Sequence, residues 1–122
     1  MNRRLIAAVD DMFFIAKIRA AAEHLGLKTK IARDEKAVLD ALGEGQPATL
    51  IVDLHLRRYD PFALVRNLRA DERFRGLQII GFFSHVQTEL QRRAMEAGFD
   101  LVLARSVFTR RLPEILQASN GD

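Results

Sequence analysis

The sequence predicts an α/β protein in which the five strands of a doubly wound parallel sheet alternate with five helices. Short apolar runs and helical patterns alternate along the whole chain, and no linker, repeat or low-complexity stretch interrupts them. The length of 122 residues fits one hydrophobic core. We therefore expect residues 1–122 to form a single domain.

Five apolar runs are short enough to be buried strands. One of them alternates apolar side chains with Lys28 and Lys30, which is typical of an edge strand with one solvated face. The run that contains Asp53 is otherwise apolar almost throughout, as expected of a central parallel strand. The predicted strands cover residues 4–9, 27–32, 49–54, 77–83 and 101–104.

The helices between these strands are predicted from the residues at their ends. Asp60 followed by Pro61 is typical of a helix cap and first turn. Residues 112–116 are predicted to lie in a final helix, with Pro113 in its opening turn. The other predicted caps are Asp34 and Ser84, and the predicted helix ends are Gly26, Gly43 and Gly98. Four phenylalanines are expected in or near the core, namely Phe13, Phe14, Phe82 and Phe83.

The composition excludes several classes of protein. The chain has no cysteine, which excludes disulfides, thiol catalysis and thiolate metal sites. No apolar run is long enough to span a membrane, and the short run near the N-terminus ends in two aspartates, unlike a signal peptide. A cytoplasmic protein without membrane contact is therefore expected.

The charge pattern gives no support to a nucleic-acid interface. The net charge of +3 is modest, and acidic residues are interspersed among the arginines. No helix-turn-helix or RNA-binding signature is present, so solvated helix faces explain most of the arginines better. We therefore expect no nucleic-acid partner.

Three aspartates follow apolar runs, where a carboxylate is costly to place. Asp10 and Asp11 follow the first predicted strand, and Asp53 lies at the end of the third. Ser84 and Arg105 also follow strand ends, and ligands of such sheets bind beyond those ends, where the strand order reverses. Close carboxylates repel one another by roughly 4 kcal/mol per pair at an effective dielectric near 20, and a hard cation such as Mg²⁺ relieves this repulsion. The pattern therefore indicates a metal-assisted phosphoryl site.

Structural roles for the same residues stay open. Asp11 can cap the first helix, and Ser84 can cap the fourth helix as well as contact a phosphoryl group. Arg105 can pair with Asp11 or Asp53 and hold a permanently inactive site together.

Enzymes built on related sheets lack support in this sequence. A haloacid-dehalogenase-type phosphatase would need an aspartate two residues beyond the nucleophile, where this chain has His55. The segment DDMFF after the first strand has no glycine for a P-loop or a dinucleotide fingerprint. We therefore do not expect an enzyme.

The order and spacing of these residues resemble those of response-regulator receiver domains of the chemotaxis-regulator type. Residues 9–11 (VDD) match the family's acidic pair, Asp53 falls at the phosphoacceptor position, and Asp60 matches the aspartate of the usual Asp-Gly. Ser84 ends the fourth strand, where the family has threonine or serine, and residues 97–100 (AGFD) are a further match. The resemblance covers nearly the whole chain.

The resemblance implies a flavodoxin-like sheet of strand order 2-1-3-4-5 and a role in bacterial two-component signal transduction. Asp53 would accept a phosphoryl group from a histidine kinase or phosphotransfer protein, with Mg²⁺ as the cofactor. Asp11, Asp53 and the backbone carbonyl of His55 would ligate the Mg²⁺, and Asp10 would act through a metal-bound water. Ser84 would hydrogen-bond a phosphoryl oxygen.

Three residues depart from the family pattern. Arg105 stands where the family has lysine, and its planar guanidinium is not equivalent to a compact ammonium. His85 stands at the rim of the site where a small residue is usual, and Val102 replaces the aromatic residue of the family's switch. Two interpretations therefore stay open: a phosphorylatable receiver domain, and a pseudo-receiver that acts as a phosphorylation-independent protein-interaction module.

The resemblance also implies a surface for protein partners, formed by the fourth helix, the fifth strand and the last helix. Four arginines on this surface predict an acidic partner, namely Arg92, Arg93, Arg110 and Arg111. The sequence predicts no particular oligomeric state.

Overall fold

The computed structural model describes residues 4–45, 47–84 and 88–120. Within these residues, five parallel strands form one sheet of order β2-β1-β3-β4-β5, and five α-helices connect them. The elements are β1 (Arg4–Ala8), α1 (Met12–His24), β2 (Lys28–Ile31), α2 (Glu35–Gly43), β3 (Pro47–Asp53), α3 (Pro61–Ala70), β4 (Gln78–Phe83), α4 (Thr88–Ala97), β5 (Leu101–Ala104) and α5 (Arg105–Asn120). The predicted fold class and strand order are confirmed.

The strand order reverses between β1 and β3. From β1 the chain first adds β2 on one side, and it then crosses to add β3 on the other side, with Ala8 paired to Val52. The carboxyl ends of β1 and β3 therefore lie side by side at the point where such sheets bind their ligands.

The helices cover both faces of the sheet, which gives the molecule two apolar layers. One layer joins α2, α3 and α4 to the sheet, and its fully buried side chains include Val38, Leu64 and Ala94. The other joins α1 and α5 to the sheet, around Ile18 and Phe108. Burial on both faces explains why the central strands are apolar throughout.

Most of the predicted helix ends agree with the structure. The side chains of Asp34 and Asp60 accept hydrogen bonds from backbone N–H groups in the first turns of α2 and α3. Gly26 follows the end of α1 with φ of 73°, a left-handed conformation that glycine adopts without steric cost. Residues 85–87, which precede α4, lie outside the described part of the chain. The prediction that Ser84 caps this helix falls on the same segment and stays a prediction.

Residues 112–116 lie in the last helix as predicted, but the predicted position of Pro113 in its opening turn was wrong. Helix α5 begins at Arg105 and continues to Asn120, so that Pro113 lies in its interior rather than in its opening turn. The helix buries Phe108, Leu112 and Leu116 on one face against the sheet. Burial of each such side chain is worth about 1.5–3 kcal/mol, and together they outweigh the cost of roughly 3 kcal/mol for an interior proline.

Replacing Pro113 with alanine is therefore expected to stabilise the protein by about 1–2 kcal/mol. Pro113 is exposed, so the change removes the ring and restores a backbone N–H without loss of packing. The gain is smaller than 3 kcal/mol because proline also restricts the unfolded chain. Urea denaturation measures the effect, with the exposed neighbour Glu114→Ala as the control, which should stay within about 0.5 kcal/mol of the parent. A less stable Pro113→Ala variant would contradict a continuous α5.

The core prediction also needs one correction. Phe14, Phe82 and Phe83 are buried, but the side chain of Phe13 is 70% exposed, as is that of the preceding Met12. In the first turn of α1, Phe14 faces the sheet, and Phe13 therefore faces solvent.

Among the described residues, no helix has the length and apolar character required to cross a bilayer.

Candidate functional site

The buried carboxylate of Asp53 lies at the centre of the candidate site. Asp53 is the last residue of β3 and is only 7% exposed, one of two buried polar residues in the described part of the chain. Its Oδ1 accepts a hydrogen bond of 2.9 Å from the backbone N–H of His55. Strand β3 lies between β1 and β4, so Asp53 stands at the carboxyl end of the central strand of the sheet.

Burial raises the pKa of the Asp53 carboxyl above its usual range, since desolvation disfavours the charged form. The nearby Asp11 carboxylate raises the pKa further. The N–H of His55 and the guanidinium of Arg105 act in the opposite direction, because they stabilise the ionised form. The carboxylates of Asp53 and Asp11 are thus close enough to influence each other.

Asp11 has the structural role that the sequence left open. It caps α1, with its Oδ1 accepting hydrogen bonds from the N–H groups of Phe13 at 2.8 Å and Phe14 at 3.2 Å. Its Oδ2 lies 3.9 Å from Nη2 of Arg105. One oxygen of Asp11 is therefore used by the helix, and the other faces the site.

Asp10 lies at the exposed rim of the site. Its Oδ2 is 3.9 Å from Nε of Arg58, and both side chains are largely solvated. The contact is therefore worth no more than about 1 kcal/mol. Arg58 lies in the loop between β3 and α3, so this arginine belongs to the rim of the site and not to a helix face.

Ser84 and His55 are joined in a way the sequence did not predict. The backbone N–H of Ser84 donates a hydrogen bond of 3.1 Å to Nε2 of His55, which ties the end of β4 to the loop after β3. The imidazole therefore presents an unprotonated Nε2 in this arrangement. The prediction assigned His55 only a backbone carbonyl, and no spacing rule would have paired its ring with a backbone group 29 residues away.

Arg105 is the first residue of α5. Its guanidinium lies 4.4 Å from the centre of the Phe14 ring, within the range of a cation–π contact. Of the two carboxylates that the sequence left open as its partner, Asp11 is the one within ion-pair distance, with 3.9 Å between Nη2 and Oδ2.

Two buried donors near the acidic residues have no partner among the described residues: the Nε of Arg105 and the hydroxyl of Tyr59. Burial raises the pKa of the Tyr59 hydroxyl, and the carboxylates of Asp10 and Asp53 contribute to the shift. A buried donor without an acceptor costs about 1–3 kcal/mol. Each such group calls for an explanation, and a functional role is one of them.

The donor chemistry of the site fits Mg²⁺. Asp11 and Asp53 each have one oxygen that accepts no hydrogen bond from the described residues, and carboxylate oxygens are preferred ligands of this ion. In the described part of the chain, no three histidine or acidic side chains are already grouped as a metal site. The predicted ligand set needs only two side chains and the carbonyl of His55, and it stays a prediction.

The structure brings five of the predicted site residues to one edge of the sheet and leaves one undescribed. Asp10, Asp11, Asp53 and Arg105 lie at the carboxyl edge of the sheet. Ser84 follows β4 at the same edge, and the predicted rim residue His85 lies outside the described residues. Val102 is buried in β5.

Comparison with solved structures shows which class of protein shares this fold. A response regulator from Thermotoga maritima superimposes with a TM-score of 0.82 and 16% identity over 98% of both chains. The chemotaxis response regulator CheY4 of Vibrio cholerae superimposes with a TM-score of 0.85 and 15% identity over 98% of this chain and 99% of that one. A signal receiver domain from Bermanella marisrubri superimposes with a TM-score of 0.84 and 19% identity over 99% of this chain and 100% of that one.

These similarities establish that the chain has the fold of response-regulator receiver domains across nearly its whole length. No family model and no curated protein matches the sequence. The similarity is therefore one of backbone fold, at a sequence identity of 15–19%.

Proposed function

We propose that this chain is a receiver domain of a two-component system that accepts a phosphoryl group on Asp53. The observation that carries the proposal is the position of the Asp53 carboxylate, which is buried at the end of the central strand, beside the point where the strand order reverses. A second carboxylate, that of Asp11, and the guanidinium of Arg105 lie within electrostatic reach.

In this proposal, an oxygen of Asp53 attacks the phosphorus of a phosphorylated histidine, the P–N bond breaks, and the imidazole leaves with a proton from solvent. The N–H of His55 orients the Asp53 carboxylate through a hydrogen bond to Oδ1. Arg105 would offset the charge of the phosphoryl oxygens. Mg²⁺ held by Asp11, Asp53 and the carbonyl of His55 would supply further charge neutralisation during the transfer.

The proposed partner is a histidine kinase or phosphotransfer protein, and the proposed location is the cytoplasm, where such kinases present their phosphorylated histidines. The exposed side chains of Met12 and Phe13 support a protein partner, because they form an apolar patch directly beside the capping Asp11. The chain would serve as an acceptor and docking module in this proposal, and not as an enzyme that turns over a free substrate.

The predicted acidic partner of the α4–β5–α5 surface gains less support. Arg92 pairs with Glu89 and Glu96 of its own helix, so its charge is already neutralised. Arg93 lies over the ring of Phe62, away from β5.

The proposal is tested by labelling with acetyl phosphate and by NMR with Mg²⁺ and beryllofluoride, which mimics a phosphorylated aspartate. We expect acid-labile incorporation in the parent chain and none in Asp53→Asn, with beryllofluoride shifts centred on residues 53–56 and 105. The labelling rate should decrease as the pH falls, starting at a higher pH than for an ordinary aspartate, because the raised pKa of Asp53 protonates the nucleophile earlier.

The matched control is Asp60→Asn, which changes a capping carboxylate seven residues away and should label like the parent. An unlabelled, folded parent chain with no beryllofluoride response would overturn the proposal.

The second candidate is a pseudo-receiver. It is favoured by the engagement of Asp11, which caps α1 with one oxygen and faces Arg105 with the other. In that case the fold would serve as a docking module, and only protein binding would be observed.

A further inference from the structure

Arg105 is held on an aromatic platform rather than in a close ion pair. Its guanidinium lies 4.4 Å from the centre of the Phe14 ring, whereas its nearest carboxylate oxygen, Oδ2 of Asp11, is 3.9 Å away from Nη2. The latter distance is beyond hydrogen-bond range. The stacking contact with Phe14 therefore determines the position of the charge at least as much as the ion pair does.

The platform continues into the core as a column of three rings, which we call the aromatic column. Phe14 of α1 stacks on Phe82 of β4 with 4.8 Å between ring centres, and Phe82 stacks on Phe108 of α5 at 4.7 Å. All three rings are at least 96% buried. Because each ring belongs to a different element, the column fixes the plane on which the guanidinium rests.

Several features of this position are costly for a cation. Arg105 is the first residue of α5, where the helix dipole disfavours positive charge. Its Nε is buried without an acceptor among the described residues. The carboxylates of Asp11 and Asp53 offset these costs, since the charge of Arg105 is felt at Asp53 as well. The guanidinium thus neutralises the same two carboxylates that a divalent cation would use.

We propose that Arg105, positioned by Phe14, is a built-in counter-cation that competes with a divalent metal ion for the Asp11 and Asp53 carboxylates. Metal binding and the stacking of Arg105 on Phe14 are then coupled. Metal binding to the carboxylates weakens their attraction for the guanidinium. By linkage, the guanidinium lowers the affinity of the carboxylates for the metal by the same factor. The inference rests on the proposed function because it concerns the same acidic residues, but it adds a regulation that is independent of any phosphoryl group.

The test compares Mg²⁺ affinity in variants that lose one positive charge at different places on α5. Arg105→Gln and Arg105→Met remove the charge from the site, and Met also keeps apolar contact with the Phe14 ring. Arg110→Gln removes the same charge at an exposed position on the same helix. Mg²⁺ is titrated at constant ionic strength and followed through backbone amide shifts, which report affinity without any phosphorylation step.

We expect both Arg105 variants to bind Mg²⁺ about tenfold more tightly than Arg110→Gln, since a full charge next to two carboxylates is removed. Arg110→Gln should bind like the parent. In the parent, the Arg105 Hε resonance should lie upfield because of the Phe14 ring and should move downfield as Mg²⁺ saturates. Equal affinities in the three variants, weaker binding in the Arg105 variants, or an unmoved Hε resonance at saturation would each overturn the inference.

The inference and the proposed function can fail separately. Tighter Mg²⁺ binding in the Arg105 variants without labelling of Asp53 would uphold the competition and reject the phosphoacceptor. Labelling of the parent with equal Mg²⁺ affinity in all variants would uphold the phosphoacceptor and reject the competition.

Discussion

Replacing Arg69 with methionine is expected to lower the free energy of unfolding by about 3–4 kcal/mol, the largest effect of a single substitution that we predict for this protein. The Arg69 side chain is 19% exposed and lies at the end of the sheet opposite the site. Its Nε donates to the carbonyl of Gly98 at 2.9 Å, and its Nη2 pairs with Asp100 at 2.7 Å. It also donates to backbone carbonyls of the α3–β4 connection, those of Phe74, Arg75 and Leu77.

The size of the effect follows from the groups that would lose their partner. Methionine retains the apolar stem but removes the donors of Arg69 from several carbonyl groups and from the Asp100 carboxylate, which keeps only the N–H of Ile79. Acceptors that are partly buried and lose a donor are costly. Urea denaturation measures the change, with Arg66→Met on the same helix as the control. Arg66 is exposed, and its variant should stay within about 0.5 kcal/mol of the parent. Equal stability of the two variants would show that the Arg69 contacts contribute little.

Replacing Gly98 with alanine is expected to cost about 3 kcal/mol, the second large effect. Gly98 follows α4 with φ of 117°, a conformation that other residues rarely adopt. A Cβ atom at this position would also lie 2.6 Å from Cγ of Arg69, which cannot withdraw without breaking its own hydrogen bonds. Backbone strain and steric overlap therefore add.

Gly26→Ala separates these two contributions. Gly26 also follows a helix with positive φ, 73°, but a Cβ atom there would meet nothing within 4 Å. Its alanine variant should lose only about 1 kcal/mol from backbone strain. If thermal or urea unfolding gave the same loss for both variants, the contact between Gly98 and Arg69 would contribute nothing.

The sequence predicted the sheet well because burial patterns are local signals. The run at residues 101–104 was assigned with the bounds that the structure shows for β5, and Lys28 and Lys30 correctly marked an edge strand. The capping aspartates Asp34 and Asp60 were also placed correctly, because their effect depends on neighbours within three residues.

The errors arose where a distant contact overrides a local rule. Pro113 locally indicates the start of a helix, but α5 begins eight residues earlier because Phe108 and Leu112 are buried against the sheet. Phe13 and Phe14 look alike in the sequence, and only the rotation of α1, fixed by the burial of Phe14, exposes one of them.

The candidate site was predicted in its residues but not in its contacts. Strand ends and the resemblance brought Asp11, Asp53 and Arg105 to one edge, as the structure confirms. The stacking of Arg105 on Phe14 and the bond from Ser84 to the His55 ring join residues far apart in the chain. No periodicity encodes such pairs, so they could not be predicted from the sequence.

The position of Arg69 bears on how freely this protein can evolve. Its hydrogen bonds tie α3, β4 and the start of β5 together at the end of the sheet that binds nothing in the proposed function. The buried donors that have no partner among the described residues, the hydroxyl of Tyr59 and the Nε of Arg105, lie at the opposite end. Substitutions at the site leave the stabilising contacts of Arg69 intact. The chemistry of the site can therefore change while the fold persists.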